Sequence, residues 1–273
     1  MKTINLFESN EEVFIKRFAG GECHVKILIP IAENEKVKIN ARLNSSDDLM
    51  TLCLAVDALR NMYVKDIEVF IPYIPYARQD RVMVPGEPLS VKVFANILNS
   101  LALNKIYVFD AHSDVSVALI NNCINIPNYE MVKYFINNLQ LNDYILVSPD
   151  LGAYKKVDKL AHKLEYKNEI ATGIKIRDLA TGQITKTDVN ASDLQGNVCI
   201  VVDDICDGGR TFIELAPALK AKGAGDLYFI ASHGIFSYNA LDRLKEAGFK
   251  NVCSSNSISN IEENEFYKRF ELF

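Results

Sequence analysis

Short apolar runs alternate with longer amphipathic stretches along most of this 273-residue chain. The short runs are rich in β-branched and aromatic residues, a composition typical of strands. They cover residues 13–18, 23–29, 37–43, 67–71, 106–109, 145–147 and 198–202. An amphipathic stretch opened by Asp47 and Asp48 runs to Met62, and Ser90 is expected to cap a helix that continues to about Leu103. This β-α-β rhythm predicts an α/β fold in which helices cover a mostly parallel sheet.

The pattern loosens near the middle of the chain, where the segment around Pro127 is the best linker candidate. Dividing the length by a typical domain size of about 150 residues also gives roughly two domains. We therefore expect domains at residues 1–127 and 128–273, with a C-terminal segment that can pack back on the first. Residues 178–195 are polar and lack a clear period, which fits either a functional lid or a β-hairpin that turns at Thr181 and Gly182.

Composition narrows the classes of partner. The chain carries 30 Lys and Arg against 35 Asp and Glu, a formal net charge of −5. A protein that coats nucleic acid or a membrane needs an excess of basic residues, so any phosphate binding here must be local. None of the six cysteines forms a Cys-x-x-Cys pair, and no apolar run approaches the roughly 20 residues that span a bilayer. We expect a cytoplasmic protein without nucleic-acid or membrane partners.

Candidate chemistry follows the apolar run at residues 198–202. In open α/β sheets, ligands bind beyond the carboxyl ends of the strands. Three carboxylates, two glycines, a cation and a hydroxyl come next: Asp203, Asp204, Asp207, Gly208, Gly209, Arg210 and Thr211. Successive strand residues point to opposite sides, so one of the first two carboxylates can face ligand hydroxyls. Glycines at a helix start favour a phosphate site, although Asp207 could instead cap the helix as part of an acidic turn.

Residues 201–211 resemble the sugar-phosphate loop of type I phosphoribosyltransferases and of ribose-phosphate pyrophosphokinases. Residues 71–81, Ile-Pro-Tyr-Ile-Pro-Tyr-Ala-Arg-Gln-Asp-Arg, are similar to the nucleotide-binding signature of the pyrophosphokinases, which the transferases lack. Arg78 and Arg81 offer planar donors for phosphate oxygens, and the prolines stiffen the loop that carries them. The alternative is a surface loop with an Arg-Asp pair. The resemblance implies two phosphoribosyltransferase-like domains, each a mostly parallel sheet flanked by helices.

Two further segments resemble metal-binding parts of the same family. If the chain stays extended after residue 109, alternation places Asp110, His112 and Asp114 on one side. The resemblance implies that His112 helps to hold Mg-ATP, whereas a purely structural histidine is the alternative. Asp150 matches a metal-associated carboxylate of the family, and its alternative role is to cap the helix that follows.

Two more segments resemble parts that act on the nucleotide. Phe18 and Glu22 resemble a Phe-x-x-Gly-Glu element that reaches the adenine of a neighbouring subunit, although Gly20 stands where the family has an acidic residue. The alternative is a core phenylalanine in a hairpin. Lys175 and Arg177 match the Lys-x-Arg at the base of the family's flexible catalytic loop, which could bring both cations onto a triphosphate. Otherwise they are basic residues on a solvated strand edge.

The resemblance implies transfer of the β,γ-diphosphoryl group of Mg-ATP to O1 of ribose 5-phosphate, which gives phosphoribosyl pyrophosphate and AMP. It assigns ribose 5-phosphate to Asp203, Asp204, Asp207, Gly208, Gly209, Arg210 and Thr211. It assigns ATP to Phe18, Glu22, Arg78, Gln79, Asp80, Arg81 and His112, Mg²⁺ to His112 and Asp150, and catalysis to Lys175, Arg177 and His112. A shared ATP site implies a homo-oligomer.

Alternative functions are a type I phosphoribosyltransferase and a non-catalytic regulatory homologue. The transferase would not need residues 76–81, and the regulatory homologue would have no use for Lys175 and Arg177. Two departures from the family pattern stand out. Arg210 replaces a small residue, and residues 33–46 lack the Arg-Gly element tied to regulatory anion binding. We therefore do not expect phosphate activation and ADP inhibition to carry over.

Overall fold

A computed structural model describes residues 1–177 and 184–273, with side chains for all of these except 175–177 and 184–186. The chain divides into two compact units, Met1–Pro127 together with Phe273, and Asn128–Leu272. Each unit has its own hydrophobic core. In the first unit the ring of Phe273 lies 4.5 Å from that of Phe7 and 5.5 Å from that of Phe70, measured between centroids.

The first unit is built on a five-stranded parallel sheet. Its elements in chain order are β1 (Lys2–Asn5), β2 (Val13–Arg17), β3 (Cys23–Ile27), β4 (Val37–Asn40), α1 (Ser46–Asn61), β5 (Ile67–Ile71), α2 (Ser90–Ser100), β6 (Lys105–Phe109), α3 (Asp114–Leu119) and β7 (Cys123–Ile126). The strand order is β1-β4-β5-β6-β7, and β2 and β3 form a separate antiparallel hairpin. Strand β5 is buried along its whole length, as a central parallel strand should be.

Helix starts in this unit differ in detail from those that the sequence pattern predicts. The N-cap of α1 is Ser45, whose Oγ accepts the Asp48 N–H while the Asp48 carboxylate accepts the Ser45 N–H. This reciprocal capping box satisfies donors that the helix itself leaves unpaired. The prediction that Ser90 caps α2 was wrong. Ser90 is the first helical residue, and the N-cap position is held by Leu89, whose side chain makes no capping hydrogen bond.

The second unit is built on a seven-stranded sheet. Its elements in chain order are α4 (Tyr129–Asn138), β8 (Tyr144–Ser148), α5 (Tyr154–Lys163), β9 (Ala171–Arg177), β10 (Ile184–Val189), β11 (Val198–Cys206), α6 (Arg210–Ala221), β12 (Leu227–Gly234), α7 (Ala240–Glu246), β13 (Phe249–Ser255) and β14 (Tyr267–Phe270). The order is β10-β9-β8-β11-β12-β13-β14, and every pairing is parallel except that of β9 with β10. The two sheets confirm the predicted α/β class.

The strand that precedes the candidate phosphate loop is longer than its apolar run. Strand β11 continues through both acidic residues to Cys206, because Asp203 and Cys206 stay in register with Ala231 and Gly234 of β12. The loop is therefore shorter than the pattern suggests. The polar stretch after β9 includes residues 178–183, which lie outside the described residues. Its next part, β10, pairs antiparallel with β9. Among the described residues, no helix is long and apolar enough to cross a membrane.

Candidate active site

An acidic pair lies near the carboxyl end of β11. Asp204 is buried and Asp203 is half-buried, and as consecutive strand residues they face opposite sides of the sheet. The Asp204 N–H donates a hydrogen bond to Asp203 Oδ1 at 2.9 Å. Lys156, from the first turn of α5, donates from Nζ to Asp204 Oδ2 at 2.6 Å. The two carboxylates are thus held in place by groups from both the strand and a neighbouring helix.

The pKa of one member of this pair is raised by its surroundings. Burial is the main cause that raises the pKa of Asp203 well above its usual value, and the neighbouring charge of Asp204 adds to it. Asp150 acts in the same direction, whereas Lys156 opposes it. The oriented oxygens of such a pair can accept hydrogen bonds from a polar ligand.

Two side chains from the chain after β12 form hydrogen bonds with the glycine loop that follows β11. Asp207 Oδ1 accepts a hydrogen bond from the Ser237 hydroxyl, and Arg243 of α7 donates from Nη1 to the Gly208 carbonyl oxygen at 3.1 Å. Gly209 has φ of 72°, a left-handed conformation in which a side chain is strained. The N-cap of α6 is Gly209 and not Asp207. The acidic residue of the loop therefore fixes the loop and does not cap the helix.

Helix α6 begins at Arg210, directly after the loop. The first N–H groups of a helix have no partner within it, and the helix dipole favours an anion there. The first turn of α6 contains no acidic residue that would occupy this position. The loop and the helix start together form the anion-binding arrangement that a sugar phosphate requires.

Arg210 does not lie over the loop in this structure. Its Nε forms an ion pair with Glu214 Oε1 at 2.6 Å, one helical turn further along, and its side chain is 78% exposed. The hydrogen bond that the guanidinium donates to Glu214 is the first cause that raises the pKa of Arg210. The Arg210 side chain therefore points to an acidic neighbour on its own helix.

We expect Arg210→Ala to change the affinity for ribose 5-phosphate by less than about twofold, because an exposed ion pair of this kind contributes little. Glu214→Ala is the matched variant, since it releases the guanidinium without removing it. Calorimetric titration with ribose 5-phosphate checks both. A loss of affinity in Arg210→Ala that Glu214→Ala does not share would show that the guanidinium contacts the phosphate.

The loop after β8 carries Asp150, predicted to lie near a metal. Its Oδ1 accepts the N–H groups of Gly152 at 2.9 Å and of Ala153 at 3.1 Å, just before α5 begins. Both donors precede Tyr154, the first residue of α5, and the N-cap of α5 is Ala153 without a side-chain capping hydrogen bond, so the alternative prediction that Asp150 caps this helix was wrong. The Ser148 hydroxyl donates to the Asp150 carbonyl oxygen at 2.8 Å, which closes the turn. Asp150 is also near enough for its charge to raise the pKa of Asp203.

Candidate metal donors are sparse in the described part of the structure. Among the described residues, no three His, Cys, Asp or Glu side chains are grouped so that they could hold a metal ion. Mg²⁺ is usually held by one or two carboxylates together with substrate phosphates and water, so a closed protein cage is not required. His112 and Asp150 belong to different units, and each offers a single donor group of this kind.

In the first unit, the loop after β5 exposes the predicted nucleotide-binding side chains. Arg78, Gln79 and Arg81 are exposed, and Tyr76 adopts a left-handed φ of 62°. The Gln79 N–H donates to the Tyr76 carbonyl oxygen at 2.8 Å, which closes the turn. Arg81 Nε lies 3.3 Å from Asp80 Oδ1. The loop therefore presents donors to solvent on a backbone that is itself hydrogen-bonded.

Asp80 joins this loop to the one that carries His112. Burial raises the pKa of Asp80, but a hydrogen bond from Ser113 and the guanidinium of Arg81 outweigh it, so the pKa lies below its usual value. The charge of His112 acts in the same lowering direction. The structure thus brings Asp80 and the segment with His112 together, although the two are far apart in the sequence.

Alternation does not explain the placement of His112. Asp110 has a left-handed φ of 38°, and Asp114 is the first residue of α3. The chain therefore does not stay extended after β6, and the condition for placing Asp110, His112 and Asp114 on one side fails. The bend arises where the Asp110 N–H donates to the Ile126 carbonyl oxygen of β7 at 2.8 Å.

The hairpin of β2 and β3 presents Phe18 and Glu22 at its turn. Phe18 is 47% exposed, so it is not a core residue of the hairpin. Its ring lies 5.7 Å from that of His24, and Lys16 Nζ lies 5.2 Å from its centroid. A Cβ at Gly20 would lie 2.7 Å from Glu22 Oε2, so the carboxylate of Glu22 occupies the space beside this glycine.

Lys175 and Arg177 are the last predicted site residues. Their backbone belongs to β9, where Lys175 pairs with Thr187 and Arg177 pairs with Ile184 of β10. Their side chains lie outside the described part of the structure.

Four side chains that the sequence analysis did not single out support the two loops. Lys156, Ser237 and Arg243 hold the acidic pair and the glycine loop, and Ser113 holds Asp80. Ser113 follows a singled-out histidine, so position alone could have indicated it. The other three lie at least 30 residues from their partners along the chain, and no local pattern reveals such contacts.

The acidic pair, the glycine loop and the start of α6 lie at the carboxyl end of a parallel strand, where ligands bind in open α/β proteins, the class to which the two sheets assign this chain. Two family models match the chain: the N-terminal domain of ribose phosphate pyrophosphokinase over residues 6–101, and the phosphoribosyl synthetase-associated domain over residues 174–267. A ribose-phosphate pyrophosphokinase of Fusobacterium nucleatum is 31% identical over 255 residues, which are 90% of this chain and 78% of that relative. The chain belongs to the ribose-phosphate pyrophosphokinase family.

Further relatives agree with this assignment. A ribose-phosphate pyrophosphokinase of Pyrococcus abyssi is 30% identical over 241 residues, 86% of this chain and 80% of that relative. The crystal structure of phosphoribosylpyrophosphate synthetase from Mycobacterium smegmatis matches with a TM-score of 0.82. The match covers all of this chain and 95% of the other at 24% identity, and it confirms the predicted fold.

Proposed function

We propose that this family member is catalytic and transfers the β,γ-diphosphoryl group of Mg-ATP to O1 of ribose 5-phosphate. The observation that carries the proposal is the acidic pair of Asp203 and Asp204, fixed by Lys156 directly before a glycine loop and the start of α6. A buried, oriented acid pair beside an anion site is what a phosphorylated sugar with free hydroxyls requires.

The second unit supplies the acceptor site in this proposal. The backbone of residues 207–211 receives the 5-phosphate, and the bonds from Ser237 and Arg243 support the fixed shape of that loop. Asp203 and Asp204 orient the ribose hydroxyls. Asp150 contributes to the site of the magnesium that accompanies the nucleotide.

The first unit supplies the donor site. Arg78, Gln79 and Arg81 bind the phosphates and adenosine of ATP from their exposed loop, and Asp80 keeps that loop beside His112 through Ser113. This bond supports a joint role of the two loops toward Mg-ATP. The exposed turn with Phe18 and Glu22 completes the adenine site of a neighbouring copy, so the proposed enzyme is a homo-oligomer.

The proposed reaction requires little covalent chemistry from the protein. O1 of the sugar attacks the β-phosphorus in line, the bond from O1 to the β-phosphorus forms, and the bond between that phosphorus and the oxygen of AMP breaks. Such transfers depend on positioning and on neutralising charge. Magnesium bound with ATP would offset charge on the phosphates, and His112 and Asp150 are the residues that would help to hold it. Lys175 and Arg177 add positive charge as the transition state forms, and His112 holds the nucleotide in place for attack.

We expect the protein, incubated with ATP, magnesium and ribose 5-phosphate, to form AMP and phosphoribosyl pyrophosphate in equal amounts. Phosphorus NMR follows both products, since the β-phosphorus of ATP ends on the sugar. Omitting ribose 5-phosphate is the control and should leave ATP intact.

Two other outcomes contradict the proposal in different ways. A phosphoribosyltransferase would release pyrophosphate from phosphoribosyl pyrophosphate and a base, and it would form no AMP from ATP. A non-catalytic homologue would bind ATP in a calorimetric titration and form neither product.

A further inference from the structure

Lys156 joins helix α5 to the acidic pair on β11. Its Nζ lies 2.6 Å from Asp204 Oδ2, and the side chains of Lys156 and Asp204 are 36% and 8% exposed. A carboxylate removed from water to this degree is costly unless a cation or hydrogen-bond donor compensates it. Lys156 therefore compensates the charge of a buried carboxylate.

Two hydrogen bonds fix the carboxylates of Asp203 and Asp204. Lys156 holds one oxygen of Asp204, and the Asp204 N–H holds one oxygen of Asp203 at 2.9 Å. Both side chains are thus oriented before any sugar arrives. Because a pre-oriented acceptor does not have to be ordered on binding, such an arrangement raises affinity for hydroxyls at matching positions.

The position of Lys156 is itself fixed by the loop before α5. Asp150 accepts the N–H groups of Gly152 and Ala153, so the start of the helix is set by the same loop that carries this carboxylate. The charges of Asp150 and Asp204 both act on Asp203, and Lys156 opposes them. The charge of Lys156 therefore acts on both members of the acidic pair.

We propose that Lys156 is a positioning residue for ribose 5-phosphate, which sets the orientation of the acidic pair through its ion pair with Asp204. The inference rests on the proposed function, because it presumes that the pair receives the sugar hydroxyls. Its consequence is selective: loss of Lys156 weakens the interaction with ribose 5-phosphate and leaves that with ATP unchanged.

The test compares Lys156→Met, Lys156→Arg and the control Lys159→Met, which removes an exposed lysine from the same helix. Ribose 5-phosphate and ATP are each titrated calorimetrically, and the KM of each is measured. We expect Lys156→Met to weaken ribose 5-phosphate binding about 10- to 100-fold, the usual effect of losing a charged hydrogen bond. The KM for ATP should stay unchanged. Lys156→Arg should recover most of the affinity, and Lys159→Met should match the wild type.

Wild-type affinity of Lys156→Met for ribose 5-phosphate overturns the inference. An equal loss for both substrates also overturns it, because a general structural defect does not discriminate between them. Should Lys156→Met fail to fold by circular dichroism, Lys156→Gln replaces it, since the amide still donates to Asp204. Its affinity for ribose 5-phosphate is expected to lie below that of Lys156→Arg, and wild-type affinity contradicts the role of charge.

Failure of the inference and failure of the proposed function give different results. Wild-type protein that forms AMP and phosphoribosyl pyrophosphate, with Lys156 variants that bind ribose 5-phosphate normally, refutes only the positioning role. Wild-type protein that neither binds ribose 5-phosphate nor forms AMP refutes the proposed function.

Discussion

Lys175→Ala is expected to lower kcat about 10²- to 10³-fold, the usual effect of removing one preorganised donor from a developing negative charge. The KM for ribose 5-phosphate should change by less than about twofold, because the lysine is proposed to act in the transition state and not on the bound sugar. Steady-state kinetics with both substrates varied separates the two effects. Calorimetric titration with ribose 5-phosphate measures the affinity without turnover.

The backbone supports this role for Lys175. Strand β9 is parallel to β8, with Thr172 opposite Ser148, so Lys175 lies three residues further along the strand. At about 3.3 Å per residue this is roughly 10 Å beyond the paired end of β8. The direction is that of the carboxyl ends of the strands, where Asp150 also lies. The antiparallel pairing of Lys175 with Thr187 of β10 gives this extension a second strand for support.

The matched control for Lys175→Ala lies at the opposite end of the same sheet. Lys250 is the second residue of β13 and forms an ion pair at 2.6 Å with Asp226, which directly precedes β12. We expect Lys250→Ala to keep the wild-type kcat. A fall in kcat shared by both variants would indicate a general effect of lost charge, and an equal change in kcat and in ribose 5-phosphate affinity for Lys175→Ala would contradict a transition-state role.

Sequence periodicity predicts the central strands well and the polar extensions poorly. Parallel strands buried on both faces appear as continuous apolar runs, so Ile67–Ile71 could be read directly from the sequence. The extension of β11 through Asp203 and Asp204 could not, because pairing with β12 holds these polar residues in the sheet. Helix starts show the same limit. Ser90 has a favoured capping side chain, yet Leu89 occupies the N-cap position.

In the candidate site, the parts that could be predicted are those that are contiguous in the sequence. The glycine loop and the Arg-Gln-Asp-Arg segment are contiguous, so a local match could find them. Their supports are not contiguous: Lys156 reaches Asp204 across 48 positions and Ser237 reaches Asp207 across 30. Arg210 is an intermediate case. Its pairing with Glu214 follows the i, i+4 spacing of a helix, and it becomes predictable once α6 is known to begin at Arg210.

Gly173→Ala is expected to destabilise the second unit by about 3 kcal/mol, the upper range for overpacking a tight site. An ideal Cβ at this position would lie 2.3 Å from the Pro149 carbonyl oxygen and 3.1 Å from Leu215 Cδ1. Neither the backbone of the Ser148 to Asp150 turn nor the buried side chain of Leu215 can move freely. For a unit of this size the expected fall in Tm is roughly 6–12 °C, measured by differential scanning calorimetry.

Gly208→Ala is the matched control for stability, because it places the same methyl group in the same unit without a clash. Its nearest atoms would be Tyr238 Cδ2 at 3.4 Å and Ser237 Oγ at 3.8 Å, which are ordinary contact distances. Alanine also restricts the unfolded chain in both variants, which by itself stabilises by up to about 1 kcal/mol. A Tm for Gly173→Ala equal to that of Gly208→Ala would therefore mean that the turn can yield. In that case, the tight contact between Gly173 and Pro149 would not be needed to hold the Asp150 carboxylate in place.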